Sequence, residues 1–132
     1  MKQKLSIVTL GVADLAVSRA FYEEKLGFTP VSEDEGIVFY DMGGARLGLF
    51  NREELAKDAT VSAEGKGFRG VTLAHNEPSE AAVDAVFAEL RAQGVEIVKA
   101  PEKVFWGGYS GYFADPDGHL WEVAYNPFSD LT

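Results

Sequence analysis

Two stretches of this chain are nearly alike. Val8-Thr9-Leu10 returns as Val71-Thr72-Leu73, an offset of 63 residues between Thr9 and Thr72. Phe21 to Gly27 is echoed by Phe87 to Gly94, and a turn at Gly43-Gly44 by one at Asp117-Gly118. A unit present only twice cannot stack as a solenoid, which needs at least three repeats. The repeat instead predicts a duplicated module with a shared core. A length of 132 residues fits one ordinary domain or two half-domains.

The local patterns give each copy the same element order. Leu5 to Val12 alternates as a strand, with Val8, Leu10 and Val12 on one face and Ile7, Thr9 and Gly11 on the other. Asp14 suits an N-cap, and Leu15 to Leu26 reads as a helix closed by Gly27. Short strands follow over Phe28–Glu33, Gly36–Met42 and Ala45–Phe50, and Asn51 to Ala59 suits a helical turn. In the second copy, Phe68 to His75 reads as a strand and Ser79 caps a helix over Glu80–Gln93. That helix carries Val83, Val86, Phe87 and Leu90 at i, i+3, i+4 and i+7, the stripe of a helix with one buried face. Val95–Lys99 is a further strand. The expected organisation is α+β, two β-α-β-β-β modules over 1–59 and 67–132 joined by a polar linker at 60–66.

The chain closes on a hairpin. Asp115-Pro116-Asp117-Gly118 is a turn in which Pro116 pre-sets φ, Asp115 bonds the backbone ahead and Gly118 takes positive φ. In the strand after it, Trp121, Val123 and Tyr125 point one way, and Leu120, Glu122 and Ala124 the other. Glu122 is thus a carboxylate in mid-strand between apolar neighbours. It reads either as a ligand-binding or general-base carboxylate, or as a structural residue paired with Arg46 or with backbone donors.

Composition narrows the function. Twelve Lys and Arg against 21 Asp and Glu give a net charge of −9, spread along the chain. Nucleic acid and anionic membrane both require a basic footprint, so neither is an expected partner. There is no cysteine, hence no disulfide, thiolate nucleophile or Cys-based zinc site. No apolar run approaches a membrane span, and the N-terminal run is broken by polar residues, so a cytoplasmic protein without a signal peptide is the expectation. No Ser-His-Asp constellation or phosphate loop is present. His75 and His119 read as surface or turn histidines.

Val12-Ala13-Asp14-Leu15, then Ser18, Phe21-Tyr22 and Leu26-Gly27-Phe28, then Asp115-Pro116-Asp117-Gly118 with Glu122 four residues on, occur in a familiar order. With the internal repeat, they make the chain resemble the vicinal oxygen chelate superfamily of glyoxalase I, bleomycin-resistance proteins and extradiol dioxygenases. The resemblance implies paired modules whose sheets curl around a cleft, and a frequent homodimer with clefts completed by both chains. It also implies four metal-ligand positions, matched here by Ile7, Gly48, Gly70 and Glu122. Only Glu122 offers a donor atom, and one carboxylate does not hold a catalytic metal.

The expectation is therefore no metal and no cofactor, with small residues opening a wider, partly apolar cavity for a small organic molecule. Glu122, Arg46 and Phe50 are assigned to that face. Trp106 and Tyr109, beside Gly107-Gly108, suit stacking on a planar ligand, or else capping of a dimer interface or sheet end. Arg46 suits an anion, or a salt bridge. Two functions follow. One is metal-free binding or sequestration, as in bleomycin-resistance relatives. The other is a lyase, isomerase or dioxygenase-like enzyme using Glu122 or a metal site at other positions.

Overall fold

The computed structural model describes residues 1–132 and divides into two compact modules, Met1–Gly67 and Phe68–Thr132. The chain is α+β, and each module is built on one four-stranded mixed sheet.

In the first module β1 (Ile7–Val12) leads through Asp14 into α1 (Leu15–Ala20). The Asp14 carboxylate accepts from the N–H groups of Ala16 and Val17, satisfying donors that a helix start leaves unpaired. The helix continues as a wider π-helical turn over Phe21–Lys25, in which Leu26 N–H reaches back to Phe21 O at 3.1 Å. This turn carries Phe21 and Tyr22 into the core, where Tyr22 meets Phe28 and Tyr40. Burial pushes the Tyr40 phenol up to about 12. Strands β2 (Pro30–Asp34), β3 (Ile37–Asp41) and β4 (Arg46–Asn51) complete the sheet in the order β1-β4-β3-β2, with β1 and β4 parallel. Helix α2 (Arg52–Asp58) follows, capped by Asn51. Its Arg52 guanidinium donates to the carbonyls of Ala63 and Gly65, which ties down the segment that reads as a linker.

The second module has the same order. Strand β5 (Leu73–Asn76) leads to α3 (Glu80–Ala92), capped by Ser79, and then to β6 (Glu96–Lys103), β7 (Tyr109–Ala114) and β8 (Leu120–Tyr125). The sheet order is β5-β8-β7-β6, again with the first strand parallel to the last. Val83, Phe87 and Leu90 of α3 are buried, as are Phe113, Trp121 and Val123 on the sheet, and the Phe113 and Trp121 rings stack. Gly111 has no side chain because there is no room for one. A Cβ there would stand 2.7 Å from the Phe87 ring and 2.6 Å from the Lys99 carbonyl.

Two details depart from the sequence reading. The fifth strand begins at Leu73, not Phe68, because Gly67 and Gly70 both take positive φ, which interrupts an extended run. The structural offset between modules at the first strand is also not 63. The N-caps Asp14 and Ser79 lie 65 residues apart, and Thr9 and Ala74 hold matching places, opposite Gly48 and Glu122. The repeated letters Val-Thr-Leu are therefore two residues out of structural register. No helix is long and apolar enough to cross a membrane.

Candidate functional site

One face of each sheet, opposite the buried strand residues Leu10, Val12, Leu47 and Leu49 in the first module and Phe113, Trp121 and Val123 in the second, is built from alternate strand residues. In the first module it holds the register pairs Ile7–Arg46, Thr9–Gly48 and Gly11–Phe50, so the alternation expected from sequence is the one observed. One cross-strand row there reads Ser32, Phe39, Gly48, Thr9. The matching row of the second module reads Lys99, Tyr112, Glu122, Ala74. One row is uncharged throughout, and the other places an ammonium, a phenol and a carboxylate side by side.

The charged row is created by the backbone. Register shifts lie on both sides of Lys99 in β6, and the missing side chain of Gly111 lets this irregular stretch pass close over β7. Lys99 thereby comes level with Tyr112. Between β7 and β8 the register follows from the turn. Asp115 N–H bonds His119 O, which sets Ala114 opposite Leu120 and Tyr112 opposite Glu122. Burial first, then the Glu122 charge, raise the Tyr112 pKa, while the Lys99 charge opposes the rise. Lys99 also pairs with Glu102 at 3.2 Å in an exposed contact. Such pairs contribute little, about 0–1 kcal/mol, so the ammonium is easily reassigned to a ligand.

The residues proposed from sequence are dispersed. Arg46 is exposed at the start of β4, and Phe50 is half-buried opposite Gly11, both in the first module. Trp106 lies across Gly108, at a position no side chain on that glycine would permit. Tyr109 belongs to the opposite face of β7 from Tyr112, and its hydroxyl donates to Asp84 of α3 at 2.6 Å. That bond removes Tyr109 from the Glu122 face, because strand parity and the helix both draw it the other way. His75 projects on the Trp121 side and pairs with Glu77. His119 bonds Asp115, whose carboxylate also takes the N–H groups of Asp117 and His119. Lys99 and Tyr112 were missed. Tyr112 was accessible by counting outward from the Asp115–His119 turn, whereas Lys99 depended on the bulged pairing of β6.

The four positions that the family resemblance matches to metal ligands are held by Ile7, Gly48, Gly70 and Glu122. At Gly48 the place of a side chain is closed by the Phe39 ring at 3.2 Å and Thr9 Oγ1 at 3.3 Å, which corrects the expectation of a widened cavity there. Gly70 has positive φ and precedes β5, which begins at Leu73, so it lies outside the paired strand. Glu122 remains the one strong donor of the set.

The model of the Glyoxalase/Bleomycin resistance protein/Dioxygenase superfamily matches residues 4–123. A crystal structure of a glyoxalase-related enzyme from Fulvimarina pelagi is 35% identical, covers 99% of this chain and 94% of its own, and superposes with a TM-score of 0.86. The chain is 27% identical to virulence protein STM3117 of Salmonella typhimurium over 92% of this chain and 83% of that one. It is 26% identical to the metallothiol transferase FosB of Shouchella clausii over 93% of this chain and 80% of that one.

Proposed function

Since the chain belongs to the Glyoxalase/Bleomycin resistance protein/Dioxygenase superfamily, we propose that it binds and sequesters a small organic compound on the Lys99–Tyr112–Glu122 face, without a resident metal. The observation that carries this reading is the row itself: three polar groups in adjacent strands, flanked by Ala74, where the first module is uncharged. Glu122 accepts a hydrogen bond from an N–H, O–H or ammonium group of the guest. Tyr112 stands opposite that carboxylate on β7, and Lys99 meets electron-rich atoms farther across the sheet. Small neighbours leave the guest's apolar body against the strands.

Metal-stripped protein tests the reading. Thermal shift against a panel of small organic cations, amines and phenols should find stabilisation that does not depend on added metal. Elemental analysis of dialysed protein should find no stoichiometric transition metal. About one zinc, nickel, manganese or iron per chain, bound through Glu122, would overturn the metal-free part.

A second reading is favoured by one pairing. A carboxylate directly opposite a phenol on the neighbouring strand is the kind of acid–base pair that a metal-free lyase or isomerase needs. Deuterium exchange into a bound ligand, abolished by Glu122→Gln, separates this reading from simple sequestration.

The protein also acts as a homodimer in this proposal. Each sheet ends in edge strands with unpaired backbone groups, and Ile7, Val31, Phe68 and Val71 are exposed apolar side chains. Light scattering should give twice the chain mass at micromolar concentration, and a monomer throughout that range removes the proposal.

A further inference from the structure

We propose that the groove at the C-terminal ends of β5 and β8 is a second ligand site, one that takes a small organic cation. It has a volume of about 290 Å³ and is formed where residues 76–78 meet residues 125–132. Its lining includes two aromatic rings, Tyr125 and Phe128, and two carboxylates, Glu77 and Asp130, and it includes no basic side chain. Carboxylates beside aromatic faces are the combination that recognises ammonium groups, through charge and through the negative face of the ring.

The groove is built by specific contacts. Glu77 N–H donates to Ala124 O at 2.8 Å, which fixes the segment after β5 against β8. Asn126 Oδ1 accepts from Phe128 N–H at 2.9 Å and turns the chain. The Phe128 ring then sits over Gly107, within 2.9 Å of where a side chain there would begin. Even so, Phe128 is 76% exposed, an aromatic surface held in place and largely uncovered. Asp130 Oδ1 accepts from Thr132 N–H and Oγ1–H, and those bonds keep its carboxyl below its ordinary pKa, and so charged. Glu77 Oε1 is bonded to the exposed His75 ring, leaving its second oxygen for a guest. The field around the groove has the right sign, since the second module carries ten acidic residues against four basic ones.

This site does not depend on the Glu122 reading, because it stands beyond the strand ends and uses other side chains. Choline and its neutral isostere 3,3-dimethyl-1-butanol test it by calorimetric titration into the full chain. Choline should bind saturably, and the isostere about twofold to fivefold more weakly, the usual worth of the charge over an exposed aromatic face. Phe128→Ala and Glu77→Gln should each weaken choline about threefold to tenfold. Phe128 is exposed and the Glu77 side chain is partly so, and circular dichroism of each variant should match that of the parent chain. Glu53→Gln, an exposed change on α2 in the first module, should leave choline binding unchanged. No saturable binding, or equal binding of the isostere, overturns the proposal. Loss with Glu122→Gln but not with Phe128→Ala also overturns it, and moves the cation to the sheet face.

Discussion

Phe87→Ala is expected to lower the unfolding free energy by about 3–5 kcal/mol, the range for truncating a fully buried aromatic side chain. Phe87 is wholly buried in the middle of the α3 stripe, between Val83 and Leu90. Its ring tip fills the space above Gly111, so truncation opens a cavity bounded by backbone on the sheet side. Backbone relaxes poorly, and the cavity should persist. Refilling it with Gly111→Ala should not restore stability, because the new Cβ would still stand 2.6 Å from Lys99 O and 2.8 Å from Pro101 N. Urea denaturation of the single and double variants measures both effects. A loss below about 1 kcal/mol would mean that α3 is held to its sheet by other contacts. The second module would then need a different account of its core.

Glu122→Gln is expected to weaken binding of the natural guest by about 1.5–3 kcal/mol, roughly tenfold to a hundredfold, the worth of a charge-assisted hydrogen bond. The change is nearly isosteric and the side chain is only half-buried, so the fold should survive. The side chain's neighbours are known: Tyr112 on one strand and Ala74 on the other. Ala74 offers no competing polar group. Removing the negative charge should also let the Tyr112 phenol titrate at lower pH, since that charge is one cause of its raised pKa. Absorbance titration of the phenols reads this directly. Unchanged affinity together with a lowered melting temperature would make Glu122 a structural residue. The site would then have to lie elsewhere in the molecule.

Much of this was legible from the letters because the signals are local. Alternation put Glu122 on the face opposite Trp121 and Val123, as the register shows, since side chains in a strand change face at every residue. The helix stripe from Val83 to Leu90 faces the core, and Asp14 and Ser79 cap the helices they precede. The Asp115–Gly118 turn joins β7 to β8.

What the letters did not carry is which residue stands beside which across strands. The recurrence of Val-Thr-Leu suggested an offset of 63, but the pairing of β5 with β8 and the cap at Ser79 give 65. Similar letters align by composition, whereas strands align by hydrogen bonds, and positive φ at Gly70 delays the start of the strand. Tyr109 looked like a ligand contact until the parity of β7 and the Asp84 carboxylate turned it toward α3. Gly48 looked like an opening until Phe39 from the neighbouring strand closed it. Lys99 reaches the Glu122 row only through two irregularities in β6 and the bare backbone at Gly111. The sequence by itself determined the modules, the faces and the carboxylate. The tertiary structure decided its companions, because strand register and close backbone approach depend on residues far apart in the chain.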